Sequence, residues 1–257
     1  MMGKPVCHFG NDVISLMCSA TTLPAARWAY RKGSGEDLLE LATWIGDAVP
    51  TLGTHFHDEA QIVFALSGAR SFSIRSSTLT VNVGQCAYVP PGMPHRALPT
   101  EQAITMCLNA YVSVRDEGLP LTVMDIKESW FRAGAVHLGD LIQAFGKHGS
   151  EMGHPPERRQ ITRPMLRHVF ARDECLGDIA KRNGYSREGF SRQFSREVGM
   201  APQAFRIVER LNEARHLLRA GKPIAAVAAQ TGFADQSHFG RLFRQIFGTT
   251  PAAFCRS

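Results

Sequence analysis

The 257-residue chain contains no run of 18 apolar residues, so no membrane-spanning helix is expected. Its first residues, Met1 to Asn11, lack the basic start and apolar stretch of a secretory signal. Cysteine is sparse. The six residues at 7, 18, 86, 107, 175 and 255 form no Cys-x-x-Cys pair, which argues against a zinc knuckle or a redox motif and fits reduced thiols in the cytoplasm. No Ser-His-Asp set, pair of catalytic carboxylates or glycine-rich phosphate loop can be assembled. Glu128 and Asp140 stand apart in a stretch of helical spacing. No enzyme activity is expected from these residues.

What remains is ordinary globular material: 44% hydrophobic and 20% charged residues, with 15 Phe. That is enough apolar surface for real cores, and the length suggests two domains. The net charge of +6 is unevenly spread. Residues 154–257 carry 18 basic and 9 acidic side chains, whereas residues 1–153 carry 11 and 14. Of the 18 basic residues, 16 are Arg, the residue suited to two-pronged recognition of phosphates and guanine edges. A basic half joined to a mildly acidic half suggests a nucleic-acid module attached to something else. A basic solvated surface would show the same charge.

The first 120 residues read as β-rich. Short apolar runs (Gln61–Leu66, Ser71–Ile74, Leu79–Val83, Ala87–Val89) are punctuated by Gly68, Gly84, Gly92, Pro90, Pro91 and Pro94, a spacing expected of a sandwich or barrel. From Ile126 to Phe145 the spacing turns helical, with Leu138, Leu141, Ile142 and Phe145 on one stripe. Lys147 to Arg159 is rich in Gly, Ser and Pro and reads as a linker. Beyond Ile161 strand signals vanish. The polar run Arg70 to Ser77 reads as a solvated hairpin.

The C-terminal part repeats itself. Gly184 and Tyr185 match Gly232 and Phe233 at an offset of 48, and after one inserted residue Phe190, Arg192, Phe194, Gly199, Pro202 and Phe205 match Phe239, Arg241, Phe243, Gly248, Pro251 and Phe254. Each copy reads as helix, tight turn, helix. Gly184 suits the left-handed turn that ends the first helix, and Ser186 can cap the next. This is the pattern of a helix-turn-helix unit, whose second helix enters the major groove; a helical bundle with duplicated packing is the alternative.

On Gly232-Phe-Ala-Asp-Gln-Ser-His-Phe-Gly-Arg-Leu-Phe-Arg244, on Phe247-Gly-Thr-Thr-Pro-Ala-Ala-Phe254, and on Arg210 to Leu218 as a long central helix, the region from Leu176 to Phe254 resembles the DNA-binding domain of AraC/XylS-type transcriptional regulators. The resemblance implies two helix-turn-helix units joined by that central helix. It departs at Phe254-Cys255-Arg256, where the family has Tyr-Arg, and at Gly189, a helix-weakening choice. With Phe190, Phe194, Phe239 and Phe243 facing the core, Arg187, Glu188, Ser191 and Arg192 of the first unit and Gln236, Ser237, His238 and Arg241 of the second are left for DNA. Arg192 and Arg241 occupy equivalent places and suit guanine O6 and N7; Gln236 suits adenine and Glu188 a cytosine amine. Arg187, Arg196 and Arg244 suit phosphates or local pairing.

Thr54-His-Phe-His57, with Gln61 and Gly68, and Gly84 through Pro90-Pro-Gly-Met-Pro-His95 resemble the two cupin motifs, which implies a small β-barrel. His55 and His57 alternate onto one face and could meet His95 inside it. Three imidazoles can bind a divalent metal. The family's metal-binding Glu is here Gln61, however, so the only anionic ligand is lost, and Pro99 stands where Asn is usual. The cupin-like domains of AraC-type regulators commonly hold a small effector instead. An effector pocket at His55, His57, Gln61 and His95, a metal site there, and a pocket filled by its own side chains all remain open.

These readings combine into an α+β multidomain fold. A cupin-like sensor domain over 1–120 is followed by a helical dimerisation or connector segment over 121–148 and a linker over 149–160. An all-α DNA-binding domain follows over 161–257, with its two helix-turn-helix units at about 176–197 and 224–246. The expected function is sequence-specific regulation of transcription in the cytoplasm. The expected partners are double-stranded promoter DNA, a small effector, RNA polymerase and a second copy of the chain, with Leu138 to Phe145 either the candidate dimer contact or packed against the barrel. A metal-dependent cupin enzyme fused to a DNA-binding domain is the rival.

Overall fold

The computed structural model describes residues 13–15, 27–33, 37–47, 51–75, 77–99, 105–113, 118–127, 130–132, 135–151 and 174–256. The N-terminal half is a β-structure of three sheets. A six-stranded antiparallel sheet runs in the order β10 (Thr122–Asp125), β7 (Gln85–Val89), β4 (Ala60–Ser67), β9 (Thr105–Val112), β3 (Leu38–Gly46), β2 (Arg27–Lys32). A second sheet of β6 (Ser77–Asn82), β5 (Ala69–Ile74) and β8 (Arg96–Ala97) closes over one face of it, and a third comprises β1 (Val13–Ser15), β12 (Ala135–His137) and β11 (Phe131–Arg132).

Strand alternation assigns the faces. On β4, Ala60, Ile62 and Phe64 point to one side and pack with α1 (Leu138–Glu151) through Leu138, Leu141 and Phe145. Gln61, Val63 and Ala65 take the other side; Val63 and Ala65 meet Phe72, Ile74, Val81 and Ala97 of the opposing small sheet. Both faces of β4 are therefore covered, which is why it reads as an unbroken apolar run.

Two expectations are corrected here. Among the described residues, 122–125, 131–132 and 135–137 are strands and not helix: β10 pairs with β7 in register from Thr122↔Tyr88 to Asp125↔Gln85, and β11 and β12 pair with each other. The alternating side chains of Thr122 to Asp125, buried at Thr122 and Met124, satisfy a sheet edge, and the helix starts only at Leu138. Nor is the stripe Leu138, Leu141, Phe145 free for a dimer contact. It is at most 2% exposed and lies under the barrel, with Phe145 5.4 Å from the Tyr88 ring. The helix runs to Glu151; the remainder of the expected linker, residues 152–160, and Glu128 lie outside the described residues, as do 161–173.

The C-terminal part is all-helical: α2 (Leu176–Arg182), α3 (Arg187–Val198), α4 (Pro202–Arg219), α5 (Ile224–Gln230), α6 (Gln236–Phe247) and α7 (Pro251–Cys255). Helices α2 and α3 form one helix-turn-helix unit, α5 and α6 the other, and α4 joins them. Ser186 Oγ accepts from Gly189 N at 3.0 Å and Asp235 Oδ1 from His238 N at 2.7 Å, capping α3 and α6. A Cβ at Gly189 would lie 3.0 Å from the Ser186 hydroxyl, a tight contact, although the matching position beside the Asp235 cap is His238.

Candidate effector pocket and nucleic-acid interface

The inner faces of β2, β3 and β9 carry Trp28, Tyr30, Glu40, Trp44, Cys107, Asn109 and Tyr111, all buried. His55 and His95 face each other in an isolated antiparallel bridge, with reciprocal backbone hydrogen bonds of 2.9 and 2.8 Å. That bridge, and the extended segment through His57, bring one ring nitrogen of each imidazole within 4.8 Å of the others. Gln61 enters the same space. The four expected pocket residues therefore converge.

Sequence reasoning missed two features of this site. Arg70 is not on a solvated hairpin: it is 1% exposed, with its guanidinium 4.9 Å from the Phe72 ring centre and 5.9 Å from that of Trp28. Strand alternation was the signal, because Arg70 shares its parity on β5 with inward-facing Phe72 and Ile74. The second is that the DNA-binding part closes the barrel. Ile246 and Phe247, at the end of α6, line the cavity together with His55, His57, Gln61 and Arg70.

This closure is a dense interface. Tyr30 Oη donates to Phe247 O at 2.6 Å, Asn212 Nδ2 to Phe56 O at 3.0 Å, and Gly53 N to Gln245 O at 3.2 Å. Phe56 stacks on Phe205, with ring centres 4.8 Å apart. Arg215 of α4 reaches into the barrel. It lies 4.0 Å above the Tyr111 ring, grips Glu40 with Nε and Nη2, approaches Glu59 at 3.8 Å and meets His57 Nδ1 at 3.1 Å. Arg219 pairs with Glu59 and lies 3.8 Å from Glu40. Burial alone would raise the Glu59 carboxyl, but Arg215 and Arg219 outweigh it and hold the group at about 2. Burial also raises Glu40, against the two-pronged contact with Arg215. The always-protonated Arg215 guanidinium favours the charged form of Glu40 and opposes that rise.

Burial pushes all three imidazoles below their ordinary range, His95 to about 4, so they are neutral near pH 7. His55 Nδ1 lies 2.7 Å from Gly53 O and His95 Nδ1 2.9 Å from Met93 O. Each therefore carries its proton on Nδ1 and presents a bare Nε2. His57 is the reverse. Arg215 only donates, so His57 Nδ1 accepts and its proton sits on Nε2, which has no partner. Donors about 2.1 Å from a zinc ion lie at most about 4.2 Å apart, closer than the spacing of up to 4.8 Å here. Holding a metal here would require the three rings to close in and His57 to lose its Nε2 proton; no carboxylate among the cavity's lining residues would add negative charge.

The DNA-facing candidates lie on the outer faces of α3 and α6. Arg187, Glu188 and Arg192 are exposed and Ser191 half-buried; Gln236, Ser237 and Arg241 are exposed and His238 half-buried. Phe190, Phe194, Phe239 and Phe243 are buried on the opposite side.

Fold and site together define a two-domain protein: a small barrel with an enclosed polar pocket, stoppered by a double helix-turn-helix domain. Residues 179–257 match a helix-turn-helix domain family and residues 46–111 a cupin domain family. The chain is similar to the transcriptional activator RhaS of Klebsiella pneumoniae strain 342, with 35% identity over 83 residues, covering 32% of this chain and 30% of RhaS. It is also similar to the transcriptional regulator YbfI of Bacillus subtilis strain 168, with 33% identity over 90 residues, covering 35% of this chain and 32% of YbfI. The match thus spans about a third of those relatives' length. The fold is that of fatty acid-bound ToxT from Vibrio cholerae, at a TM-score of 0.56 and 11% identity over 88% of this chain and 97% of ToxT. The chain thus carries a cupin domain in front of a helix-turn-helix domain, and its helix-turn-helix part is similar to those of the transcriptional regulators RhaS and YbfI. The relatives named here are transcriptional regulators, not enzymes.

Proposed function

We propose that the protein is a sequence-specific regulator of transcription whose DNA binding is set by a small effector in the barrel. The observation that carries this is the pair of capped helices, α3 and α6, each with an aromatic inner face and an exposed polar outer face, within a segment bearing 18 basic and 9 acidic side chains. The partner is double-stranded promoter DNA, read in two successive major-groove segments about one helical turn apart. Arg192 and Arg241 contact bases, with Gln236, Glu188, Arg187, Ser191, Ser237 and His238 around them. In this reading the protein acts in the cytoplasm as a homodimer and contacts RNA polymerase from the promoter. The effector role rests on the pocket: several buried polar atoms of its lining residues have no hydrogen-bond partner among the described residues, and its wall includes part of the DNA-binding domain. Selection of fragmented genomic DNA on the purified protein at physiological salt tests the reading. One recovered motif with two blocks a helical turn apart is expected. Retention of DNA without a common motif, lost steeply with salt, would mean non-specific binding and overturn it.

A further inference from the structure

Among the described residues, six polar atoms of residues lining one cavity have no hydrogen-bond partner: the donors Arg70 Nε, Trp28 Nε1 and His57 Nε2, and the acceptors His95 Nε2, Gln61 Oε1 and Asn109 Oδ1. Buried polar atoms are nearly always paired, so six around one space mark a place arranged for a polar occupant. Charge identifies it. At the interface, two guanidiniums (Arg215, Arg219) face two carboxylates (Glu40, Glu59) and cancel. The three imidazoles are neutral. Tyr111 and Cys107 are pushed up by burial, to about 12 and 11, and stay protonated. Arg70 is left over. Among the described residues, its one hydrogen bond goes to the Leu98 carbonyl at 3.3 Å, it has no ion pair, and no Asp or Glu lines the cavity. A buried guanidinium without a counter-charge is strongly disfavoured.

We propose that the barrel binds a small organic monocarboxylate, with Arg70 as its counter-charge and Trp28 Nε1 and His57 Nε2 as further donors to its oxygens. The proposal rests on the effector reading above and names the ligand's class. One uncompensated positive charge calls for a monoanion, and the aromatic walls of Trp28, Tyr30, Phe72, Tyr111 and Phe247 suit an apolar body behind the carboxylate. Size adds a second consequence. The cavity offers ≈ 10 Å³ to the centre of a water molecule, room for about one water. A carboxylate with an apolar tail needs more, and the walls with the freedom to yield are Ile246 and Phe247, because they belong to the other domain. Binding the anion thus pushes out the end of α6. His57 is linked to the same event, since withdrawal of Arg215 releases its Nδ1.

Binding is measured on the full-length protein by calorimetry and by the fluorescence of Trp28, using butyrate and phenylacetate against their uncharged amides, with inorganic phosphate as a further anion. The carboxylates are expected to bind at least about tenfold more tightly than the amides, the margin of a charge-assisted hydrogen-bond pair. Arg70→Gln is expected to abolish that margin, while phosphate competes weakly. Equal binding of acids and amides, tighter binding of phosphate, or no response to either acid at millimolar concentration overturns the proposal. The comparison of acid with amide needs no variant, so it stands even where Arg70→Gln does not fold. A gel shift on the selected DNA motif separates the two readings: a protein that binds its motif but prefers no carboxylate keeps its regulatory role and loses this ligand class.

Discussion

Arg215→Ala removes the most deeply buried contact between the two domains. Arg215 and Glu40 are each 1% exposed and Glu59 is 6% exposed. Removing one partner of a buried ion pair costs about 3–5 kcal/mol, chiefly through the charge left behind. Arg219 still touches Glu59 and lies 3.8 Å from Glu40, so the lower end, about 3 kcal/mol, applies. The substitution does not weaken α4 intrinsically, because Ala is the best helix former. The cost therefore falls on docking: in the separated form, water solvates both carboxylates. At about 1.4 kcal/mol per decade, the docking equilibrium shifts roughly 100- to 200-fold. Amide hydrogen exchange reads this directly. The Gly53 N–H, which donates to Gln245 O across the interface, should exchange faster by about that factor. The Thr231 N–H, bonded to Val227 O within the helical domain, should change little. Unchanged protection at Gly53 would refute the view that this ion pair holds the domains together. Equal loss at both amides would refute the view that they separate before they unfold.

Gly248→Ala should also force the domains apart. Its φ of +71° disfavours any side chain, at about 1–2 kcal/mol, and the new Cβ would lie 2.3 Å from Trp28 Cδ1; a red shift in tryptophan emission checks it. Gly232→Ala, at φ +75° but away from the barrel, should carry the strain without the shift. Acid should weaken the structure in two windows. His95, at about 4 when folded against 6.5, protonates first in the unfolded chain, so stability drains as pH falls from 6.5 towards 4. Glu59, held at about 2 against 4.5, contributes ~3 kcal/mol above pH 4.5 that is lost between 4.5 and 2. Urea midpoints that rise on acidification would contradict both. Arg241→Ala should cost about 1–3 kcal/mol of DNA affinity and relax one base position; equal weakening on all sequences would place Arg241 on the phosphates.

The helical half is readable in the chain because its signals are local. Caps, turn glycines and Phe pairs one turn apart fall within single units, and the second copy repeats the first. The His cluster is readable for a related reason: the motif spacing around His55, His57 and His95 encodes a barrel fold that brings them together. Arg215 and Glu40 are not readable this way. They stand 175 positions apart, and each in isolation is an ordinary charge on a helix or a strand. Residues 135–137 read as a backward continuation of the α1 stripe because their pairing depends on distant β1, just as Ile126 N depends on Gly84 O. Only tertiary packing decides between strand and helix in such a stretch.

On the function proposed above, helix α6 has two working ends. Gln236 lies at its start and Phe247, the stopper of the barrel, at its finish; twelve residues make a rod of about 18 Å. A rigid rod cannot shift at one end alone. Thermodynamic reciprocity follows: whatever factor the pocket's occupant applies to affinity for DNA, DNA must apply to affinity for the occupant. A promoter bound by this protein would thus tune the protein's own sensitivity to its signal, and two promoters gripping α6 differently would respond at different concentrations of one compound.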